Sequence, residues 1–208
     1  FLRYENFRPE LVLENRIAEA FAQGPPQALA EAFAETNAAR RGLPEFLDAL
    51  AAPTATPGGG SAAAAAAAMA AALGSMVTRL AKLDAKLHSD AFEADRQFFT
   101  AAVDRDAEAF NRVMAAYKRP KAERAPFVEE ALHGAAEVPL EVFERASAML
   151  TRLEALQVPA KFASDLAVAK ALTAAAKTGA RENVMINLAS LPRHHFGDRL
   201  RGLEIPSV

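Results

Sequence analysis

An all-α helical bundle is the fold this sequence predicts, and three observations predict it. Alanine supplies 51 of the 208 residues, about a quarter of the chain, and alanine is the strongest helix former. Prolines and glycines fall in clusters that cut the chain into helix-length pieces; between Ser61 and Lys118 there is no proline and one glycine, Gly74. β-branched residues are sparse and Trp is absent, so no segment reads strongly as a strand. Small side chains let helices pack at close range, which points to a bundle around an Ala-rich central helix.

Taken in order, Pro9 to Gln23 reads as a first helix, with Pro9 suited to a first turn. Gly24-Pro25-Pro26 breaks it, and a second helix covers Gln27 to Arg41. After Gly42-Leu43-Pro44 comes a short amphipathic segment, Glu45 to Ala51, then the loop Ala52 to Gly60. The long proline-free stretch divides into Ser61 to Leu87 and Asp90 to Lys118. Pro120 and Pro126 bracket a turn, and the next helix runs to Leu156 with a kink predicted at Pro139. Ser164 to Lys177 follows, then a joint at Gly179 and a short helix from Arg181 to Leu191. The tail, Pro192 to Val208, is mixed and polar.

Several function classes are excluded. The net charge of −2 leaves no basic excess for binding nucleic acid. The absence of cysteine removes disulfides, thiolate catalysis and zinc–sulfur sites. Ser61 to Thr78 is uncharged but mostly alanine, with little drive into lipid, and reads as a buried helix and not a membrane span. The chain begins at Phe1 with no basic n-region and apolar h-region, which fits an internal fragment or processed chain and a cytoplasmic location.

Chemistry is suggested first by Pro57-Gly58-Gly59-Gly60-Ser61, placed ahead of the alanine helix. Glycines permit close backbone approach, Ser61 is a natural N-cap, and free N–H groups at a helix start favour an anion or carbonyl. No Gly-Lys-Ser/Thr follows, so this is not a Walker loop. A plain flexible loop ahead of a capped helix explains the same residues.

The second signal is an acid out of place. Phe99, Val103, Asp106, Phe110, Val113 and Tyr117 are spaced 4, 3, 4, 3, 4, as on an a/d seam. Only Asp106 among them is charged. Asp104 and Glu108 fall about 200° away on the helix, with Asn111, where a solvated face explains them. A carboxylate on a buried seam is costly unless paired or protonated, and its pKa is perturbed as in working acids and bases. A structural pair with an Arg or Lys is the alternative.

Ser164-Asp165 reads as a helix start, where Ser caps and Asp suits the dipole; Asp165 also shares a stripe with Val168, Ala169 and Leu172. Asn183 and Asn187 lie four apart on one face, offering donors and acceptors to a flat heterocycle or to a neighbouring helix. His88, His133, His194 and His195 show no metal-ligand spacing.

Three elements in this order resemble one family. They are Pro57 to Ser61 with the Ala-rich helix and Leu73-Gly74-Ser75-Met76-Val77; Asp104-Arg105-Asp106-Ala107-Glu108-Ala109-Phe110; and Ser164-Asp165-Leu166-Ala167-Val168-Ala169 leading to Asn183-Val184-Met185-Ile186-Asn187-Leu188. The set looks like the cyclodeaminase domain of formimidoyltransferase-cyclodeaminases and related methenyltetrahydrofolate cyclohydrolases, over about Leu43 to Leu191. The resemblance implies a dimerising all-helical bundle, a homodimer or higher, acting on tetrahydrofolate derivatives in one-carbon metabolism and histidine degradation. It implies Asp106 as the catalytic acid, and Gly58, Gly59, Gly60, Ser61, Asp165, Asn183 and Asn187 as lining the folate pocket. Tyr4-Glu5-Asn6-Phe7 through Glu14-Asn15-Arg16-Ile17 is similar to the tail of a formimidoyltransferase domain, so residues 1–42 read as a lead-in and 43–208 as the bundle. One departure is the short tail after the two asparagines, where such domains often have a further long helix.

The activity so implied is closure of 5-formimidoyltetrahydrofolate to 5,10-methenyltetrahydrofolate with release of ammonia, a lyase reaction. It needs no metal and no cofactor, folate being the substrate. Two other readings stand beside it: a methenyltetrahydrofolate cyclohydrolase, and a non-enzymatic helical dimerisation module in which Asp106 forms a structural ion pair.

Overall fold

The structure, a computed structural model, describes residues 42–83, 88–191 and 196–203. Among these, five α-helices occur and no strand: α1 (Leu43–Ala51), α2 (Gly59–Leu80), α3 (Asp90–Tyr117), α4 (Ala125–Ala155) and α5 (Ala163–Ala189). Short 3-10 turns span Ala160–Phe162 and Gly197–Leu203. The two helices expected before residue 42 lie outside the described residues.

Helices α2 to α5 pack in a closed ring of neighbours. Each runs antiparallel to the next. Ser61 near the start of α2 meets Val103 and Asp106 of α3, while Gly74 lies against Phe92. Asp95 early in α3 pairs with Arg145 and Arg152 late in α4, and Arg105 with Glu141. Asn187 of α5 bonds Ala135 of α4, and Gly179 touches Ala63 of α2. This is an up-and-down four-helix bundle. The start of α2, the second half of α3, the first half of α4 and the end of α5 therefore share one end of it.

Alanine does on α2 what its size allows. Ala64, Ala67, Ala70 and Ala71 are fully buried against the other helices. The helix is long and apolar enough to cross a bilayer, and its inner side forms the core of the bundle.

Helix α2 stops at Leu80, short of the Leu87 expected. Lys82 adopts the left-handed conformation (φ 55°), with Lys82 N–H bonded to Arg79 O and Leu83 N–H to Thr78 O. That is a Schellman end built without glycine, so the sequence carried no stop signal. The joint expected at Gly179 is absent, and α5 runs unbroken from Ala163 to Ala189. A Cβ on Gly179 would stand 3.0 Å from that of Ala63: the glycine serves close packing of α5 on α2, not a break. Pro139 sits inside α4, which continues past it.

Residues 196–203 contribute to the core. Phe196, Leu200 and Leu203 are buried. Arg199 reaches Glu137 and Glu144 of α4 at 2.7 and 2.8 Å, and Arg181 donates to Leu203 O at 2.7 Å.

The buried stripe of α3 differs from the seam expected. Phe92, Asp95, Phe99, Ala102, Val103, Ala109, Val113 and Ala116 face inward, whereas Phe110 and Tyr117 are 38% and 43% exposed. Asp106 keeps its place in the corrected register, between Ala102 and Ala109. The stripe holds a second acid that lies outside the seam read from the sequence. Asp95 is 3% exposed; Arg145 Nε donates to Oδ1 at 2.8 Å and Arg152 to Oδ2. It is the structural ion pair that had been the alternative for Asp106.

Candidate active site

The site is built on the first turn of α2. Gly58 is the N-cap and makes no side-chain cap bond, so the leading N–H groups of α2 need partners from elsewhere. Asp106 of α3 supplies one. Its carboxylate accepts from the Ser61 backbone N–H and from the Ser61 hydroxyl, with Oγ 2.9 Å from Oδ2. The same Oγ lies 3.1 Å from Val103 O. Asp106 thus caps α2 from a neighbouring helix, and the positive end of the helix dipole faces it.

The approach requires glycine. A Cβ on Gly60 would overlap the Asp106 carboxylate, 2.8 Å from Oδ2 and closer still to Oδ1. Next to it, a Cβ on Gly59 would lie 3.4 Å from Asn183 Nδ2. The paired glycines thus seat two side chains from two different helices.

Asp106 is half-buried, and burial pushes its pKa above the ordinary Asp value; the Ser61 hydroxyl and N–H oppose that shift without reversing it. Among the described residues, no Lys, Arg or His forms an ion pair with it. The contrast with Asp95 is chemical: the same helix and stripe carry one acid neutralised by two guanidinium groups and one set between a hydroxyl and a helix end.

The asparagines form a ladder. Asn183 Nδ2 donates to Gly179 O at 2.8 Å. Asn187 Nδ2 donates to Asn183 O at 2.8 Å and to Ala135 O of α4 at 3.0 Å. Asn187 therefore ties α5 to α4, and Asn183 stands over Gly59.

Of the residues singled out from sequence, the structure brings Gly58, Gly59, Gly60, Ser61, Asp106, Asn183 and Asn187 to one end of the bundle. It does not bring Asp165 there. Asp165 is in the first turn of α5, 18 residues before Asn183, which is about 27 Å along a continuous helix. The unbroken α5 is the reason: with no joint at Gly179, its two ends cannot fold together. Ser61 also departs from its expected role. It is fully buried and inside the helix, so it is not the N-cap and does not line an open pocket. Among the described residues, no group of three His, Asp or Glu side chains is arranged to hold a metal ion.

Comparison with known proteins identifies the family. The family model for formiminotransferase-cyclodeaminase matches residues 42–202. A methenyltetrahydrofolate cyclohydrolase of Methylorubrum extorquens is 36% identical over 177 residues, covering 76% of this chain and 85% of its own. A formimidoyltransferase-cyclodeaminase of Sus scrofa is 32% identical over 213 residues, covering 94% of this chain, which spans 37% of that protein's length. The crystal structure of a formiminotetrahydrofolate cyclodeaminase from Thermotoga maritima matches with a TM-score of 0.72 at 31% identity, covering 79% of this chain and 87% of that one. With the four-helix core and the Asp106 site both inside the matched region, the chain belongs to the formiminotransferase-cyclodeaminase family.

Proposed function

We propose that this chain is a folate-converting enzyme that closes 5-formimidoyltetrahydrofolate to 5,10-methenyltetrahydrofolate and releases ammonia. The observation that carries the reading is Asp106: a desolvated carboxyl group of raised pKa, fixed at a helix start, with no neutralising cation among the described residues. A carboxyl group whose pKa is lifted toward working pH exchanges protons readily in both directions.

The chemistry needs one such group. N10 attacks the formimidoyl carbon, forming the N10–C bond, and Asp106 accepts the N10 proton. Asp106 then returns that proton to the amino group on the same carbon. The C–N bond breaks, ammonia leaves, and its bonding electrons go with it, so the methenyl bridge carries the positive charge. Ionised Asp106 pairs favourably with the cationic amidinium, and a tight site holds N10 near the carbon. Asn183 lies over Gly59 beside this centre and offers an amide face to the pterin. No metal or redox cofactor enters the scheme.

A second reading is hydrolysis of the methenyl compound, in which water attacks the same carbon with Asp106 as base. It is favoured by the Methylorubrum extorquens relative, of which this chain covers 85%. One assay separates the two. Purified protein is given 5-formimidoyltetrahydrofolate and, separately, the methenyl compound, while methenyl absorbance and ammonia are followed. Methenyl formation with equimolar ammonia supports the first reading. Loss of methenyl absorbance above the uncatalysed rate, without activity on the formimidoyl compound, supports the second. Activity on neither overturns both.

A formimidoyltransferase domain in the same native chain fits the Sus scrofa alignment. That alignment covers 94% of this chain, so it reaches well into residues 1–41, ahead of the family match at 42–202. A homodimer fits the outward side of α2, where Met69, Met76 and Leu80 are 49%, 38% and 53% exposed and fall within about 40° on the helix.

A further inference from the structure

We propose that Ser61 is a positioning residue for Asp106, whose hydroxyl partners the carboxyl group in both of its protonation states and does not touch the folate. The proposal rests on the reading of Asp106 as the proton-transferring group. Its ground is geometric. Ser61 is 0% exposed, and its Oγ stands between two acceptors, Asp106 Oδ2 at 2.9 Å and Val103 O at 3.1 Å. A serine hydroxyl has a single hydrogen to donate and lone pairs to accept, so the two bonds are alternatives.

Each protonation state uses one of them. When Asp106 is ionised, the Ser61 hydrogen points to Oδ2 as a charge-assisted bond. When Oδ2 carries a proton, that O–H donates to Oγ and the Ser61 hydrogen turns to Val103 O. A proton placed on Oδ1 leaves Ser61 donating to Oδ2. One O–H rotation covers every state with no heavy-atom movement, and no buried polar atom loses its partner, a loss that is costly in a low-dielectric site. The Ser61 N–H, at the start of α2, favours the ionised state beside it.

Among the described residues, no ion pair joins Asp106 to a charge on a neighbouring element, and burial and Ser61 are the causes acting on it. On α2 the ionisable side chain is Arg79, at the far end. On α4, Glu141 pairs with Arg105 at 2.6 Å, Glu137 pairs with Arg199 at 2.7 Å, and His133 stacks on Phe196. On α5, Arg181 pairs with Glu182 at 2.6 Å. On α3 itself, Asp104, Arg105 and Glu108 point about 100° to 200° away from Asp106.

The test is Ser61→Ala, which removes the hydroxyl and keeps the N–H and the helix. The acid limb of kcat/KM should move up by about one pH unit, a tenfold change in proton affinity of the kind a bond to a charged group supplies. The KM for the active folate should change less than twofold, because Ser61 does not meet the substrate. A raised KM with the limb unmoved would mark a substrate contact and overturn the proposal, as would an unchanged profile. A second measurement needs no turnover: 13C NMR titration of the Asp106 carboxyl in the ligand-free protein, assigned by its loss in Asp106→Asn. An upward shift in Ser61→Ala upholds the contact of hydroxyl with carboxyl, and if neither folate is then converted it is the functional reading that fails; no shift, with or without turnover, overturns this proposal, and with turnover it leaves the functional reading standing.

Discussion

Gly60 and Asp106 are packed so that the glycine has room for a hydrogen and nothing more. A Cβ at position 60 would meet all three terminal atoms of the Asp106 carboxyl group. We expect Gly60→Ala to drive that carboxyl off the Ser61 hydroxyl and to lower kcat/KM about 100-fold, the scale of a displacement near 1 Å at a reacting group. Helicity by circular dichroism should not fall, since alanine is the better helix former. Normal kinetics in this variant would mean the carboxyl position is immaterial.

Replacing Asp106 by Asn should remove turnover, by a factor of about 100 to 10,000 for loss of a general acid–base group, while the protein grows more stable at neutral pH. The sign follows from the raised pKa. A folded state that binds the proton more tightly than the unfolded chain loses stability as pH rises from the unfolded value through the folded one. Asparagine carries no charge to desolvate, so its Tm advantage should be present at pH 7.5 and shrink as pH falls into the ordinary Asp range. Thermal melts of both proteins across that range check it; a Tm deficit at pH 7.5 is the contrary result.

The pH profile of the wild-type enzyme should also be split. Burial raises the Asp106 pKa in the free protein, and a bound amidinium should pull it back down. The acid limb of kcat/KM reports the free enzyme and that of kcat the complex. We expect the first at higher pH than the second, once the substrate's own ionisation is measured and subtracted.

Asp95 should behave in the opposite way to Asp106. Its carboxylate is 4% exposed and held by Arg145 and Arg152, each more than a third exposed. Asp95→Ala leaves two guanidinium groups without their carboxylate, and we expect a loss of about 2 kcal/mol in urea unfolding, discounted from the fully buried case for the solvent the arginines still reach. The kcat of the folded fraction should be unaltered.

The outward side of α2 supplies a further check. Met76→Lys places a charge among Met69, Leu73 and Leu80 without touching the inward alanines. We expect the mass by light scattering at micromolar concentration to fall to that of one chain. An unchanged mass with two charges introduced, Met69→Lys and Met76→Lys, would move the interface elsewhere.

The helical class was legible because alanine content and proline spacing are local signals, and they act before any packing is known. Asp106 was legible for a different reason: charge at an apolar register position is visible in one dimension, even though the register inferred through Phe110 and Tyr117 was wrong. Asp95 obeys the same logic and was not legible, because the seam starts at Phe99 and its register continues back through Arg96 and Phe92, one residue away from Asp95. The role of Ser61 could not be read, since a serine after glycines looks like a cap until α3 is seen lying across it. Gly179 illustrates the general limit. A glycine that ends a helix and a glycine that lets another helix approach are the same letter, and only the opposing Ala63 distinguishes them.

The cap that α2 borrows from α3 bears on how far this site is portable. A peptide copy of the glycine loop and alanine helix would carry every residue of that motif and still lack the carboxylate that completes its first turn. Grafted onto another bundle, the motif would begin frayed unless an acid stood at the same height on the adjoining helix. The smallest transferable unit is therefore a pair of antiparallel helices in fixed register, and an insertion or deletion of one residue between Asp90 and Asp106 should abolish the site as completely as loss of the aspartate itself.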